Sequence, residues 1–261
     1  MINPTAIKEI LKPLEQIASR GYHMGSVYRD WVSLVLYSLM RDDDLYLEVM
    51  GRYSNDGNKG EREADKFAES FKLLMKWCAR ENHDLLGDVY MEIATNYDSK
   101  SMGQFFTPIP VCDAMAKMTV GTDNDKPVSV ADPACGSSRN LISAAKVVHA
   151  ESFFHGIDLD TVCVRMSAIN CCMFNMNAVI LHGNTLSMKF FDGYTTKRTP
   201  LGGTVRRLTE DELDFEIDRV IRGLMEAEEN PLADKISFTP EIDSTNSVEQ
   251  EPEHQLTLFE V

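Results

Sequence analysis

The 261-residue chain has no Cys-x-x-Cys pair; its six cysteines, Cys78, Cys112, Cys135, Cys163, Cys171 and Cys172, carry no zinc-site spacing. A reduced, mostly buried set of thiols is therefore expected. The six histidines are scattered and form no metal constellation. No apolar run approaches the roughly 20 residues of a membrane helix, and the start lacks the basic-then-apolar pattern of a secretory signal. A cytoplasmic location without membrane contact is the expectation. Basic residues are scarce, with 26 Lys and Arg against 41 Asp and Glu, a net charge of −15. A protein of that charge has no general positive field with which to bind nucleic acid strongly unaided.

The imbalance is uneven along the chain. From Thr209 to the end there are 16 acidic and 3 basic residues, whereas the part before it holds 25 and 23 and is nearly neutral. Lys189, Lys197, Arg198, Arg206 and Arg207 form a local basic segment, suited to phosphate contact or to plain solvation, or to being covered by the acidic part that begins at Thr209. Beyond Pro231 the composition is polar, acidic and poor in aromatics, which favours disorder.

With 43% hydrophobic residues the chain can bury a sizeable core, as one large domain or two small ones. Residues 1–100 read as an α-helical domain. Val27, Trp31, Leu34, Val35 and Ser38 recur at helical spacing, as do Ala64, Phe67, Phe71, Leu74, Met75 and Cys78, and then Leu86, Val89, Tyr90 and Ile93. Residues 53–60 have loop composition. From Ser101 to Leu208 helix and strand alternate. Pro108 and Pro110 open a helix reaching about Met118; strands are expected near 128–132, 153–158 and 179–183, with helices near 138–150 and 161–177. Such alternation predicts a parallel sheet with helices on both faces. Thr209 and Glu212 form a capping box for a last helix over 209–230, whose stripe of Leu213, Ile217, Val220, Ile221, Leu224 and Met225 is expected to dock on the sheet. Residues 231–261 make an acidic tail.

The most informative stretch is Asp132-Pro133-Ala134-Cys135-Gly136-Ser137-Ser138, which follows the strand signal Val128-Ser129-Val130. An acidic residue, a tight turn of small residues and a helix start form a cradle for a nucleotide-like ligand, because backbone approaches it closely and helix N–H groups are free. Upstream stands Gly103-Gln104-Phe105-Phe106-Thr107-Pro108; downstream stand His155-Gly156-Ile157-Asp158-Leu159-Asp160 and His182-Gly183-Asn184-Thr185-Leu186.

In this order and spacing the segments resemble the adenine-N6 DNA methyltransferases, particularly the modification subunit of type I restriction systems and small phage and mobile-element N-6 DNA methylases. The resemblance covers about 100 residues, Asp84 to Leu186, and Asp84–Tyr90 looks like the family's lead-in helix. It implies an α/β fold, a truncated Rossmann-like S-adenosylmethionine-dependent methyltransferase sheet behind the helical N-terminal domain. It also implies S-adenosylmethionine as cofactor. By the same resemblance Gln104, Phe105, Phe106 and Thr107 cover the methionine end, Asp132, Pro133, Ala134 and Gly136 pass beneath it, Asp158 accepts from the ribose hydroxyls and Asn184 meets the adenine edge. The family usually has a further glycine after Gly136; Ser138 or its neighbour, if held at positive φ, is strained.

One family element is missing. The Asn/Asp-Pro-Pro-aromatic tetrapeptide that grips a flipped-out adenine has no counterpart, since no Pro-Pro pair occurs in the sequence. Thr199-Pro200 is at most a remnant, and Asn230-Pro231 lacks the aromatic residue. No catalytic residue is assigned. The resemblance thus implies a DNA adenine-N6 methyltransferase-family protein that binds its cofactor but is weak or inactive alone. The alternative is a non-catalytic cofactor-binding or scaffolding subunit beside a separate catalytic or specificity chain. DNA is then met weakly, or through that partner. Gln255-Leu256-Thr257-Leu258-Phe259 resembles the bacterial sliding-clamp-binding pentapeptide, with Gln255, Leu256, Leu258 and Phe259 as the contact residues; a terminal strand docked on the protein's own body is the competing expectation.

Overall fold

The computed structural model describes residues 3–97, 104–120 and 125–229. The clamp-like residues Gln255, Leu256, Leu258 and Phe259, Asn230-Pro231 and the acidic tail lie outside them. Five helices come first: α1 (Pro4–Ala18), α2 (Met24–Met40), α3 (Asp43–Met50), α4 (Glu63–Glu81) and α5 (Leu85–Asn96). Three of the starts have a side-chain cap. The Asn3 side chain accepts from the Thr5 and Ala6 N–H groups with proline at the first helical position of α1, and Asp42 and Asp84 cap α3 and α5 in the same manner. Helix α2 is the central one, with Val27, Tyr28, Trp31, Val32 and Leu36 fully buried. Of the faces expected from spacing, Ser38 and Met75 turn out exposed. The segment after α3 is the expected loop, although Tyr53 within it is buried against Phe67.

The rest of the described chain runs α6 (Ile109–Val120), β1 (Ser129–Asp132), α7 (Arg139–Ala145), β2 (Phe153–Asp158), α8 (Thr161–Met173), β3 (Asn177–Asn184), β4 (Lys189–Lys197), β5 (Thr204–Arg207) and α9 (Glu210–Glu229). The strands form one sheet in the order β1-β2-β3-β4-β5. β1, β2 and β3 are parallel, whereas β4 and β5 are antiparallel. The sheet is therefore mixed, which corrects the parallel sheet expected from the alternation. A turn of four residues, Thr185–Met188, joins β3 to β4, and so short a link can only reverse the chain, because a parallel return needs a crossover. Helix α7 is also shorter than the expected 138–150.

Helix α7 packs on β1 and α8 on β2, β3 and β4. The strand residues turned toward them include Gly156, whose absent side chain leaves room for Ile180 and Cys135. The alternate residues Phe153, Val179 and Thr195 face the first turns of α9 across a cavity of about 340 Å³. Both faces are thus covered. The predicted capping box is present: the Thr209 N–H donates to Glu212 Oε2 at 3.0 Å and the Glu212 N–H to Thr209 Oγ1 at 3.3 Å. Leu213, Ile217 and Val220 are half-buried. All six thiols are buried, as are Met166 and Met176. Among the described residues no helix is long and apolar enough to cross a membrane.

The N-terminal helices are fastened to the α/β part through α2. Tyr28 donates its hydroxyl to the Leu86 carbonyl at 2.8 Å and reaches Met166 Sδ of α8 at 3.0 Å. Tyr28→Phe keeps the packing but leaves a buried carbonyl short of a donor. It is expected to cost about 1–3 kcal/mol in urea unfolding, with the far-UV circular dichroism of the native state unchanged.

Candidate functional site

The site forms where β1, β2 and β3 end at the same edge. β1 stops at Asp132, whose Oδ1 accepts from the Ala134 N–H at 3.1 Å and whose Oδ2 accepts from Asn140 Nδ2 at 3.1 Å. That closes the Pro133-Ala134 turn and ties it to α7. The Cys135 N–H then donates to the Ile157 carbonyl, and the Gly136 N–H to Asp158 Oδ2 at 2.8 Å. Asp158 Oδ1 accepts from the Asp160 N–H at 2.9 Å. Each carboxylate oxygen of Asp158 thus holds one main-chain donor, which leaves lone pairs for a ligand. Burial raises the Asp158 pKa, against the two N–H groups that lower it.

Gly136 has φ of +54°, and a Cβ built there would lie 2.9 Å from the Phe106 ring. Only glycine fits this position. The Gln104–Thr107 segment is brought over the turn as the sequence predicted. Gln104 accepts from the Cys163 thiol and reaches Asp160, Phe106 stacks on Tyr90 at 5.1 Å, and the Thr107 carbonyl receives Arg139 Nη1 at 3.5 Å. Phe105, by contrast, is 84% exposed. Phe105, Phe106, Thr107, Ala134 and Gly136 share a recess of about 80 Å³. Leu159 and Leu186, 58% and 97% exposed, stand at the ends of β2 and β3. Asn184 has its Oδ1 committed to the Leu186 and Ser187 N–H groups, both at 3.0 Å, so it has its amide N–H donors left for a ligand.

Sequence reasoning missed the group that holds this turn. The expected strain is real: Ser138 has φ of +68°, a left-handed residue that is not glycine. Its neighbour Arg139, 5% exposed, donates from Nε to Asp84 Oδ2 at 2.7 Å and from Nη2 to Asp88 Oδ1 at 2.5 Å. Asp84 also accepts from Ser137 Oγ, Asn170 Nδ2 and the Gly87 N–H. His83 Nε2 lies 3.1 Å from the other oxygen of Asp88. Burial works against the Arg139 charge, yet Asp84 and Asp88 outweigh it and raise its pKa. The guanidinium also lies 5.5 Å from the Phe106 ring centroid. The available signals were Asp84 and Asp88 on the lead-in helix and the basic residue directly after the turn.

Two points left open by the sequence are decided. The hairpin connecting β4 and β5 carries Thr199-Pro200, and β4 runs antiparallel to β3 with Thr196 beside Ala178. Thr199 is hydrogen-bonded to Asn175. It thus lies at the entry end of β3, about 25 Å from its exit, and is no part of the site. The three arginines of the basic segment are paired, one of them with the acidic part that begins at Thr209. Arg206 pairs with Glu212, Arg207 with Asp192 and Arg198 with Glu151, while Lys189 and Lys197 occupy opposite ends of β4. Among the described residues no cluster of His, Cys, Asp or Glu side chains could hold a metal ion.

The buried ionic group generates two predictions. Arg139→Met strands two carboxylates in the core and should destabilise the protein by about 3–5 kcal/mol in chemical denaturation. The hydrogen bond to Asp88 raises the His83 pKa, with burial opposing. Its stabilising contribution is therefore full below the unfolded value of about 6.5 and is lost as pH rises through the folded one. Melting temperatures of wild type and His83→Gln should converge as pH increases through that window; a constant gap would show that His83 does not titrate in the fold.

Residues 81–200 match a family model described as N-6 DNA Methylase. The methylase subunit of the type I restriction enzyme MpnII from Mycoplasma pneumoniae is 28% identical over 116 residues, which are 41% of this chain and 21% of that subunit. The match thus spans about one fifth of the length of that curated relative. Among solved structures, a Listeria monocytogenes protein assigned to the class I S-adenosylmethionine-dependent methyltransferases is 15% identical with a TM-score of 0.40, covering 69% of this chain and 54% of that one. A type I restriction-modification methyltransferase subunit from Streptococcus thermophilus is 20% identical with a TM-score of 0.39, covering 71% and 41%. The family match begins before Asp84 and takes in the Gln104–Thr107 segment, the Asp132–Ser138 turn, Asp158 and Asn184: over residues 81–200 the chain is similar to the N-6 DNA methylase family.

Proposed function

We propose that the chain binds S-adenosylmethionine at the carboxyl ends of β1, β2 and β3 and is the methyl-donor half of a DNA adenine-N6 methyltransferase. The observation that carries this reading is the joint at Gly136. Its N–H is bonded to Asp158, the acid at the end of the neighbouring strand, and Phe106 occupies the space where any side chain would stand. A backbone cradle, a carboxylate with spare lone pairs and an aromatic wall suit an adenosine-bearing ligand with an amino-acid end. Asp158 is placed to accept from ribose hydroxyls, because a carboxylate only accepts and hydroxyls donate. Asn184 can donate to a ring nitrogen of an adenine, with Leu159 and Leu186 as apolar cover. Asp132 and the Phe105–Thr107 segment serve the amino-acid end.

S-adenosylmethionine, when bound, supplies an electrophilic methyl group on a sulfonium centre. The chain's own contribution is to orient that group and to exclude water with Phe106, since displacement by an amine nitrogen needs alignment more than acid–base help. The Asn/Asp-Pro-Pro-aromatic sequence that would grip the adenine acceptor does not occur in the 261 residues. The acceptor half is thus assigned to another polypeptide segment, and the isolated chain is expected to transfer methyl groups to DNA weakly or not at all. A second reading, a non-catalytic subunit tethered to the replication machinery, draws on Gln255-Leu256-Thr257-Leu258-Phe259. Capture by purified sliding clamp, lost in Leu258→Ala and Phe259→Ala, would support it.

Calorimetric titration of the full chain with S-adenosylmethionine tests the main reading. Micromolar binding is expected, with Asp158→Ala and Gly136→Ala each weakening it by more than about tenfold, or about 1.4 kcal/mol. Absence of binding by a folded wild-type protein would sink the proposal, as would variants that bind equally well.

A further inference from the structure

Asn140 is the second residue of α7, directly after the Asp132–Ser138 turn and Arg139. It lies outside the residues that the resemblance assigns to a ligand. The two ends of its carboxamide have different surroundings. Nδ2 donates to Asp132 Oδ2 at 3.1 Å. A carboxylate only accepts, so this bond fixes which end of the amide is nitrogen and turns Oδ1 the other way. Oδ1 is enclosed and, among the described residues, has no donor. Buried carbonyl oxygens in folded proteins are nearly always hydrogen-bonded, and one that is not calls for a reason. The tie to Asp132 accounts for the nitrogen of Asn140 and leaves its oxygen without a role.

Asn140 lines the recess of about 80 Å³ that also touches Phe106, Ala134 and Gly136. Cys135, Ser137 and Arg139 line it too, and their polar groups are committed to the protein. Ser137 Oγ donates to Asp84, the Cys135 thiol lies 3.5 Å from Ser167 Oγ, and Arg139 is held by Asp84 and Asp88. Two carboxylates against one guanidinium leave that group with no surplus of positive charge. Asp132 has each oxygen bonded once, to the Ala134 N–H and to Asn140, and so keeps lone pairs on both. The joined pair of Asn140 and Asp132 thus offers acceptors and negative charge. What it lacks is a donor that carries positive charge. Enclosure keeps bulk water from Oδ1, and a ligand seated in the recess is the remaining source of such a donor.

We infer that Asn140 Oδ1 and the Asp132 carboxylate together receive the α-ammonium group of the ligand, so that Asn140 makes the site selective for a ligand with a free amino group. An ammonium has three donors, and the pair supplies acceptors for two of them. Such charge-assisted bonds are short and stronger than neutral ones. The inference rests on the S-adenosylmethionine reading given above and names the part of that ligand that Asn140 meets. An Asn140 with a purely structural role would act through Nδ2 alone. The two roles belong to different atoms of one side chain and are therefore separable.

Competition titration of the full chain, carried to millimolar ligand, tests it with two probes. One is S-adenosylhomocysteine. The other is 4-(5′-adenosylthio)butanoate, which differs from it by the amino group alone. The wild type is expected to prefer S-adenosylhomocysteine by more than about tenfold. Asn140→Leu removes both ends of the amide. It should lower that preference by about tenfold, with the affinity for the butanoate unchanged. Asn140→Asp removes the donor to Asp132 but keeps an acceptor in the same place, and should retain the preference. Loss of the preference in both variants would overturn the inference, because the tie to Asp132 would then be what matters. A preference unchanged in Asn140→Leu, or an equal loss of both ligands, would overturn it as well. A folded wild type that binds neither S-adenosylmethionine nor S-adenosylhomocysteine would remove the reading of the site itself, and this inference with it.

Discussion

Arg139 and its two carboxylate partners are the interaction on which the site depends. Asp84 caps α5, receives Arg139 and Ser137 from the far side of the turn, and takes Asn170 from α8. One buried carboxylate therefore joins three elements that are distant in sequence. A charge is costly to bury, and this one is tolerated because every neighbour is a donor. Hydrogen bonds to charged groups are short and directional, so they fix angles as well as distances. An apolar cluster of similar volume would hold α5 near the turn without specifying how Phe106 meets Gly136.

That specificity explains why a turn with Ser138 in the left-handed region persists. A non-glycine residue there costs of the order of 1–2 kcal/mol, and the turn would relax if nothing opposed it. Ser137 on one side of it is bonded to Asp84 and Arg139 on the other side to Asp84 and Asp88. The strained residue sits between two anchored ones, so the strain is held by the surrounding structure. The helical N-terminal part supplies those anchors. It is a component of the site through α5, and it is braced from behind by Tyr28 of α2.

Much of this was legible from the residues. β2 and β3 are largely buried parallel strands and β1 a part-exposed one, and all three read as short apolar runs ending in an acid or in Asn184. The capping box of α9 was legible because all its parts lie within four residues. The hairpin was not. Lys189–Lys197 is rich in aromatic and β-branched residues, but Gly193 interrupts it. Gly193 in fact marks a close approach, with Leu181 and Leu208 packed where a side chain would be. The Arg139 group was hidden for a different reason. Its partners are 51 and 55 positions away, and no spacing rule couples residues at that range. What the sequence showed was Ser137-Ser138-Arg139 where the resembled family has a further glycine, a departure whose compensation lay in α5.

The same geometry separates donor from acceptor functions. Each residue assigned to the cofactor lies at the exit of β1, β2 or β3, in the turn after them, or in the Gln104–Thr107 segment fastened above. β4 and β5 extend the sheet on the side of β3, away from Gly136, and their connecting turn is at the opposite end of the strands. Among the described residues, the side of the turn adjoining β1 is where the sheet stops. A group that approached a ligand over Gly136 from the remaining direction would have to come past the open edge of β1. In the proposed reading the edge is the side from which an acceptor is delivered. Whatever pairs with Ser129 and Ala131 ends beside Pro133 and Ala134, at the lip of the site.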